Sequence, residues 1–178
     1  MLKTTFFSVI FFATLFTGDN DYIPADDGSS VKFKIKNLGI NVDGSFKGLK
    51  GNIFFDAANA SATKIDVTVD ANTINTGIQM RDNHLRKPEY FDVLTYPLIR
   101  FVSVTVASAG NGKYNVTGKL TIKNTTKLIS FVFTAVPKDA GMLFTGMYKI
   151  NRRDYDIGGR SLTLSDNLEI NLTVFAKK

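Results

Sequence analysis

Cysteine and tryptophan are missing from this chain of 178 residues, and histidine occurs once. Without cysteine there is no disulfide, no zinc–thiolate centre, no thiolate nucleophile and no thiol to carry a lipid. With His84 alone, a zinc or copper site would rest on carboxylates, so neither a metal nor a cofactor is expected. Lysine and arginine exceed aspartate and glutamate, giving a formal charge of +6. The cations are dispersed along the chain, however, which tolerates an anionic partner without pointing to nucleic acid. No apolar run is long enough to cross a bilayer. The longest, Phe6 to Phe16, is about half of the ~20 residues that a spanning helix needs.

That run has a different reading. "MLKTTFFSVIFFATLFTG" places one cation, Lys3, before the apolar stretch and small or polar residues after it. This is the layout of a secretory signal peptide. Residues 1–18 are read as that signal, residues 19–28 ("DNDYIPADDG") as a flexible N-terminus, and residues 29–178 as one domain. The expected location is the periplasm or the outside of the cell, without stable insertion in a membrane.

After the signal the pattern has period two. Val31, Phe33 and Ile35 alternate with Lys32, Lys34 and Lys36. Ile65, Val67 and Val69 alternate with Lys64, Asp66, Thr68 and Asp70. Val116, Gly118 and Leu120 share a parity, as do Leu168, Ile170, Leu172 and Val174. Less regular strands run from Phe46 to Phe55, Leu98 to Val106, Ile129 to Ala135 and Phe144 to Ile150. Alternation of this kind marks antiparallel strands with one dry and one wet face. Eight one-sided strands with turn signals between them close as a barrel or fold as a sandwich. Glycines inside strands (Gly44, Gly48, Gly51, Gly118, Gly146) favour the barrel and are expected to leave room within it. The expected architecture is therefore an all-β, eight-stranded antiparallel, lipocalin-like barrel, with a short helix and an ordered loop after the third strand. Its interior is expected to be lined by Phe33, Ile35, Phe46, Ile65, Val67, Phe101, Val116, Leu120, Phe131, Phe133, Phe144 and Tyr148. Gly118 and Gly146 would give an apolar chain access to the backbone.

Catalytic and metal motifs fail one by one. "DNDYIPADDG" begins like a calcium loop, but Ile23 and Ser30 occupy ligand positions. The spacing of Gly44, Gly48 and Gly51 is not that of a dinucleotide-binding loop. No nucleophile elbow accompanies His84.

One stretch carries more information than the rest. "NTINTGIQMRDNHLRKPEYFDVLTYP", Asn72 to Pro97, resembles the YceI-like family. The family's pattern matches at Thr76, Gly77, Arg81, Asp82, His84, Leu85, Pro88, Tyr90, Phe91, Asp92, Tyr96 and Pro97, without gaps. "SSVKFKIKNLG", "GKLTIKNTTKLISFVF" and "YKINRRDYDIG" resemble further segments of it. The chain departs from the family at Asn37, Lys123, Asn124, Asn151, Tyr155 and Asp156. The resemblance implies a secreted or periplasmic barrel that binds a long apolar molecule, such as a polyisoprenoid quinone or prenyl pyrophosphate. A fatty amide or fatty acid is the alternative. It further implies that Ile78, His84, Leu85 and Phe91 complete the pocket, with Arg81, His84 and Arg152 near a ligand head group. Either His84 faces the ligand, or its segment plugs the barrel and His84 bonds a loop carbonyl. Binding without catalysis is the leading reading. An enzyme with His84 as acid or base, and Arg81 or Arg152 holding a phosphate, is the competing one. A homodimer is compatible with all of this.

Overall fold

The computed structural model describes residues 20–178. The signal-like segment lies outside them, and nothing structural bears on it. The described chain forms eight antiparallel strands in sequential order, closed by pairing of the first with the last. They are β1 (Asp21–Asn37), β2 (Ile40–Phe54), β3 (Lys64–Asn75), β4 (Leu98–Gly110), β5 (Lys113–Ile122), β6 (Thr125–Lys138), β7 (Gly141–Asn151) and β8 (Leu164–Lys177). A short helix, α1 (Gln79–Leu85), follows β3. Closure removes both sheet edges, although β3 is not paired with β4 beyond Asp70, nor residues 125–132 of β6 with residues 147–151 of β7. The lysines of β1 point outward: Lys32, Lys34 and Lys36 are exposed, and Phe33 between them is buried.

One expectation fails at the N-terminus. Residues from Asp21 onward are not flexible but belong to β1, where Tyr22 and Pro24 are buried. The Asp26 carboxylate accepts hydrogen bonds from the Gly48 and Leu49 amides, both 2.9 Å. Between Ala25 and Ser30 the pairing with β8 shifts register, and Gly28 turns there at φ +76° beneath the Phe175 ring. A bulge needs turn-forming residues inside a strand, so its composition reads as a loop.

The interior glycines also differ from expectation. Gly44 lies directly opposite Phe33, whose ring occupies the place where a Cβ would stand. Gly118 is buried beneath the Phe101 ring, and Gly146 lies against Phe131. Three times, then, a phenylalanine covers a glycine on a neighbouring strand. Gly44 and Gly118 thus pack the barrel wall and do not open it, whereas Gly146 also borders interior space. Gly48 and Gly51 take φ of +75° and +133° at the register shifts of β2, where the strand coils tightly.

The two ends of the barrel differ. At the base, β4–β5 and β6–β7 are joined by two-residue turns, and residues 55–63 link β2 to β3. Aromatic rings fill the space: Phe55 meets Tyr114 edge-on at 5.1 Å and Phe144 at 5.4 Å, while Tyr114 stacks on Phe133 at 5.3 Å. Val116, expected to line a pocket, belongs to this closed base. The other end carries the two longer links, residues 76–97 and 152–163.

Candidate functional site

Above the aromatic base the barrel is not filled. Two adjoining lobes share Val31, Val69, Ile99, Leu120 and Tyr148. The inner lobe, about 120 Å³, is almost wholly apolar. Of the residues expected inside, Ile65, Val67, Phe101, Leu120, Phe131, Phe133, Phe144, Gly146 and Tyr148 border it. The outer lobe, about 280 Å³, is bordered by Phe33, Ile35, Phe46, Leu85, Phe91, His84, Arg81 and Arg152. Gly118 and Ile78 border neither lobe. Gly118 is under Phe101, and Ile78 precedes α1 with its side chain exposed. The cavity wall also includes Leu49, Ile53, Leu172 and Val174 in the inner lobe, and Asn37, Thr76, Tyr90, Ile157 and Leu164 in the outer one. The strand residues among these have the inward parity already visible in the alternation. The loop residues have no such signal.

The 76–97 link forms one wall of the outer lobe. On α1, Arg81, His84 and Leu85 are spaced i, i+3, i+4 and so share the face that borders the cavity. The helix is preceded by Ile78 as its N-cap, without a side-chain hydrogen bond. Thr76 has another task. Its amide and hydroxyl both donate to buried Asp82 Oδ1, at 2.8 and 2.6 Å, and its hydroxyl and carbonyl accept from Arg81 Nε and Nη2. Asp82 thus folds the strand end back onto the helix. Arg81 is held by its Nε and Nη2, leaving Nη1 directed to no protein atom.

Neither Arg81 nor Arg86 forms an ion pair with Asp82, Glu89 or Asp92. Arg86 instead donates to the Asn72 and Ile74 carbonyls at 2.8 and 2.9 Å, and to Asn83 Oδ1. Pairing of β3 with β4 stops at Asp70, so alternate carbonyls beyond it lack a strand partner. The guanidinium fork supplies one, because an unpaired backbone carbonyl is costly.

Arg152 is not a head-group residue either. It is 2% exposed, and its donors go to the Ile157, Gly159 and Ser165 carbonyls and to Asp166 Oδ1, the last at 2.6 Å. Four bonds from one side chain fix the 152–163 link over the barrel. His84 does face the outer lobe. Its ring lies 4.9 Å from that of Tyr90, and it donates to no loop carbonyl. The plug reading of His84 therefore fails.

Two further polar groups face the cavity. The Asn37 side chain borders the outer lobe with its Oδ1 buried and without a protein partner. Tyr148 stands at the junction of the lobes, its ring stacked on Phe131 at 4.7 Å. Burial, and secondarily Tyr155, push the Tyr148 phenol well above its ordinary range, so it stays a neutral hydroxyl. Among the described residues no group of three or more His, Asp and Glu side chains converges as a metal site.

Residues 22–176 match the YceI-like domain. The chain belongs to the YceI-like family. A relative in Pseudomonas syringae pv. tomato, known as a UPF0312 protein, is 35% identical over 164 residues, covering 86% of this chain and 84% of the relative. Among solved structures, Burkholderia cenocepacia BcnA superposes with a TM-score of 0.82 at 29% identity, over 86% of this chain and 99% of that one. A YceI protein of Campylobacter jejuni gives 0.71 at 31% identity, over 78% and 86%. A polyisoprenoid binding domain from Saccharophagus degradans shares the fold, with a TM-score of 0.72 at 18% identity over 89% and 98%. The barrel is thus the fold shared with these solved structures.

Proposed function

We propose that the protein is an exported carrier that holds a long apolar molecule of the polyisoprenoid kind inside the barrel. The observation that carries this is the cavity: two adjoining lobes that share five wall residues, apolar in depth, with Arg81, His84 and Asn37 at the outer one. A tail would lie among Phe101, Phe131, Leu172 and Val174, where each buried methylene contributes about 0.8 kcal/mol. A polar head would stay near α1. The YceI-like membership and the likeness in fold to the polyisoprenoid binding domain of Saccharophagus degradans support the choice of ligand; the signal-like first 18 residues support export.

Carriage fits better than catalysis. His84 has no carboxylate to orient or activate it, and Arg152 is fully engaged in holding its own loop. The test is extraction and native mass spectrometry of the purified protein. The expected result is a co-purifying isoprenoid that remains unchanged on incubation. A fatty acid or fatty amide in its place would move the ligand class, and turnover would make the protein an enzyme. Leu172→Phe, which narrows the inner lobe, should lower the lipid content at unchanged secondary structure.

A further inference from the structure

The most exposed large apolar side chains are not scattered. Leu162, Leu94, Met80, Leu38 and Ile40 lead the order of exposure, from 107% down to 72%. All five lie at the cavity-mouth end of the barrel: Leu38 and Ile40 at the β1–β2 turn, Met80 and Leu94 in the 76–97 link, and Leu162 in the 152–163 link. Hydrogen bonds join these segments into one rim. The Leu38 amide donates to the Thr163 carbonyl at 2.9 Å, and the Gly158 amide to the Glu89 carbonyl at 2.8 Å. Lys123 Nζ, from the β5–β6 turn, donates to the Pro88 and Asp156 carbonyls. Folding does not explain the choice of residues. Leu38 sits at φ +51°, where asparagine or glycine would be less strained.

Charge is distributed in the same sense. In residues 36–41, 75–97, 122–127 and 151–163, nine lysines and arginines accompany five aspartates and glutamates. The exposed cations include Lys36, Lys87, Lys127 and Arg160. At the base the surplus is smaller: Lys64, Lys113, Lys138, Lys177 and Lys178 accompany Asp21, Asp56 and Asp139. Insertable leucines amid a cationic surplus are what an anionic bilayer surface takes up.

We propose that this rim docks on an anionic lipid bilayer, with the cavity mouth facing the membrane, so that lipid passes between bilayer and barrel without crossing water. The proposal rests on the carrier reading but is tested apart from it. Purified protein is sedimented with vesicles of phosphatidylglycerol and phosphatidylcholine, and with phosphatidylcholine alone. Binding is expected to the anionic vesicles, and to weaken with salt. Leu94→Asp with Leu162→Asp should lower the bound fraction about tenfold, with melting temperature and co-purified lipid unchanged. Ile23→Asp with Val136→Asp, away from the mouth, should leave binding as it was. A wild-type protein that ignores both vesicles overturns docking, as does a Leu94/Leu162 variant that binds undiminished. A rim that instead drives dimerisation, seen by sedimentation velocity and lost in that variant, assigns the surface to a second copy and also overturns it. Lipid content is read separately. Protein that holds lipid but ignores vesicles defeats docking alone; protein that binds vesicles but holds no lipid defeats carriage alone.

Discussion

The two ends of this barrel are made from similar residues and do opposite things. At the base, Phe55, Tyr114, Phe133 and Phe144 meet ring to ring. At the mouth, Phe33, Phe46 and Phe91 also touch, at 5.7 and 5.5 Å, yet a lobe of about 280 Å³ remains beside them. The difference lies in the connections. Both ends have two two-residue turns, but the base has only the 55–63 link besides, and rings fill the axis there. Residues 76–97 and 152–163 instead stand as walls around the mouth, and the sheet cannot collapse across it. Arg86 and Arg152, bonded to backbone carbonyls, keep those walls in place. Aromatic content alone, therefore, does not decide whether a barrel end is core or pocket.

The strongest test of this contrast is a matched pair of truncations. Phe55 is buried at 4% exposure between two aromatic partners, Tyr114 and Phe144, and borders neither lobe. Phe55→Ala should cost about 3–5 kcal/mol, as for other large-to-small core changes. Phe91→Ala, whose ring borders existing space, should cost less. Denaturant unfolding of both checks the order. Equal losses would mean that the mouth is packed as tightly as the base.

Glycines give the next largest effect. A Cβ at Gly118 would stand 2.3 Å from Phe101 Cζ and 2.7 Å from the Val102 carbonyl oxygen. The backbone contact cannot yield, so Gly118→Ala should destabilise by about 1–3 kcal/mol. At Gly146 the first contact is the Phe131 ring edge at 3.2 Å, which can tilt into the inner lobe. Gly146→Ala should cost under about 1 kcal/mol and reduce lipid content instead. Thermal melts beside lipid extraction separate the two. A costly Gly146→Ala with unchanged lipid would make both glycines purely structural.

These glycines also mark what could be read from residues alone. The eight strands and their faces follow from the alternation, because each strand is dry on one side only; closure does not, since one-sided strands serve a sandwich as well as a barrel. The place of the cavity does not follow. Gly118 and Gly146 share a parity and a neighbourhood in sequence, but their covering rings come from other strands: Phe101 on β4 and Phe131 on β6. Arg152 was equally opaque. An arginine beside an aspartate-rich turn reads as a ligand contact, whereas its partners are carbonyls, which have no sequence signature. His84, Leu85 and Phe91 could be placed at the mouth because the motif fixes the helix and loop that carry them. Asn37 and Tyr148 show their polar groups to the cavity only through the register of β1 and β7.

A smaller effect concerns alkaline pH at the mouth half. Burial, and then Asp154, push the Tyr155 phenol up to about 12, and Tyr148 is raised further. In the unfolded chain both ionise near 10. The folded state therefore holds protons that the unfolded state releases. This contribution is complete below pH ~10 and is lost as pH rises through the raised values. Melting temperature should fall more steeply above pH ~10 in the native sequence than in Tyr155→Phe. At neutral pH that variant should be neutral or slightly stabilising, since the Tyr155 hydroxyl is buried without a partner and removing it leaves no unmet group. An unchanged alkaline slope would show that other groups govern it.

The least effect on stability is expected where the functional consequence is of most interest. His84 is exposed, bonds to no protein group through its ring, and touches Tyr90 only by ring contact. His84→Ala should change stability by less than about 0.5 kcal/mol, as is usual for a surface side chain without special contacts. Its role at the outer lobe is different, because Arg81 lies one turn before it on the same face of α1 and the two border one space. A head group placed there would lose one of its two helix-borne contacts in the variant. Lipid should still co-purify, since the apolar lobe is untouched, but it should exchange faster with acceptor vesicles. Measuring stability, content and exchange rate together isolates the mouth from the base: the first two should hold and only the third should move. If exchange is also unchanged, the head group lies elsewhere, and Asn37 and Tyr148, the other polar groups on the cavity wall, are the residues to substitute next.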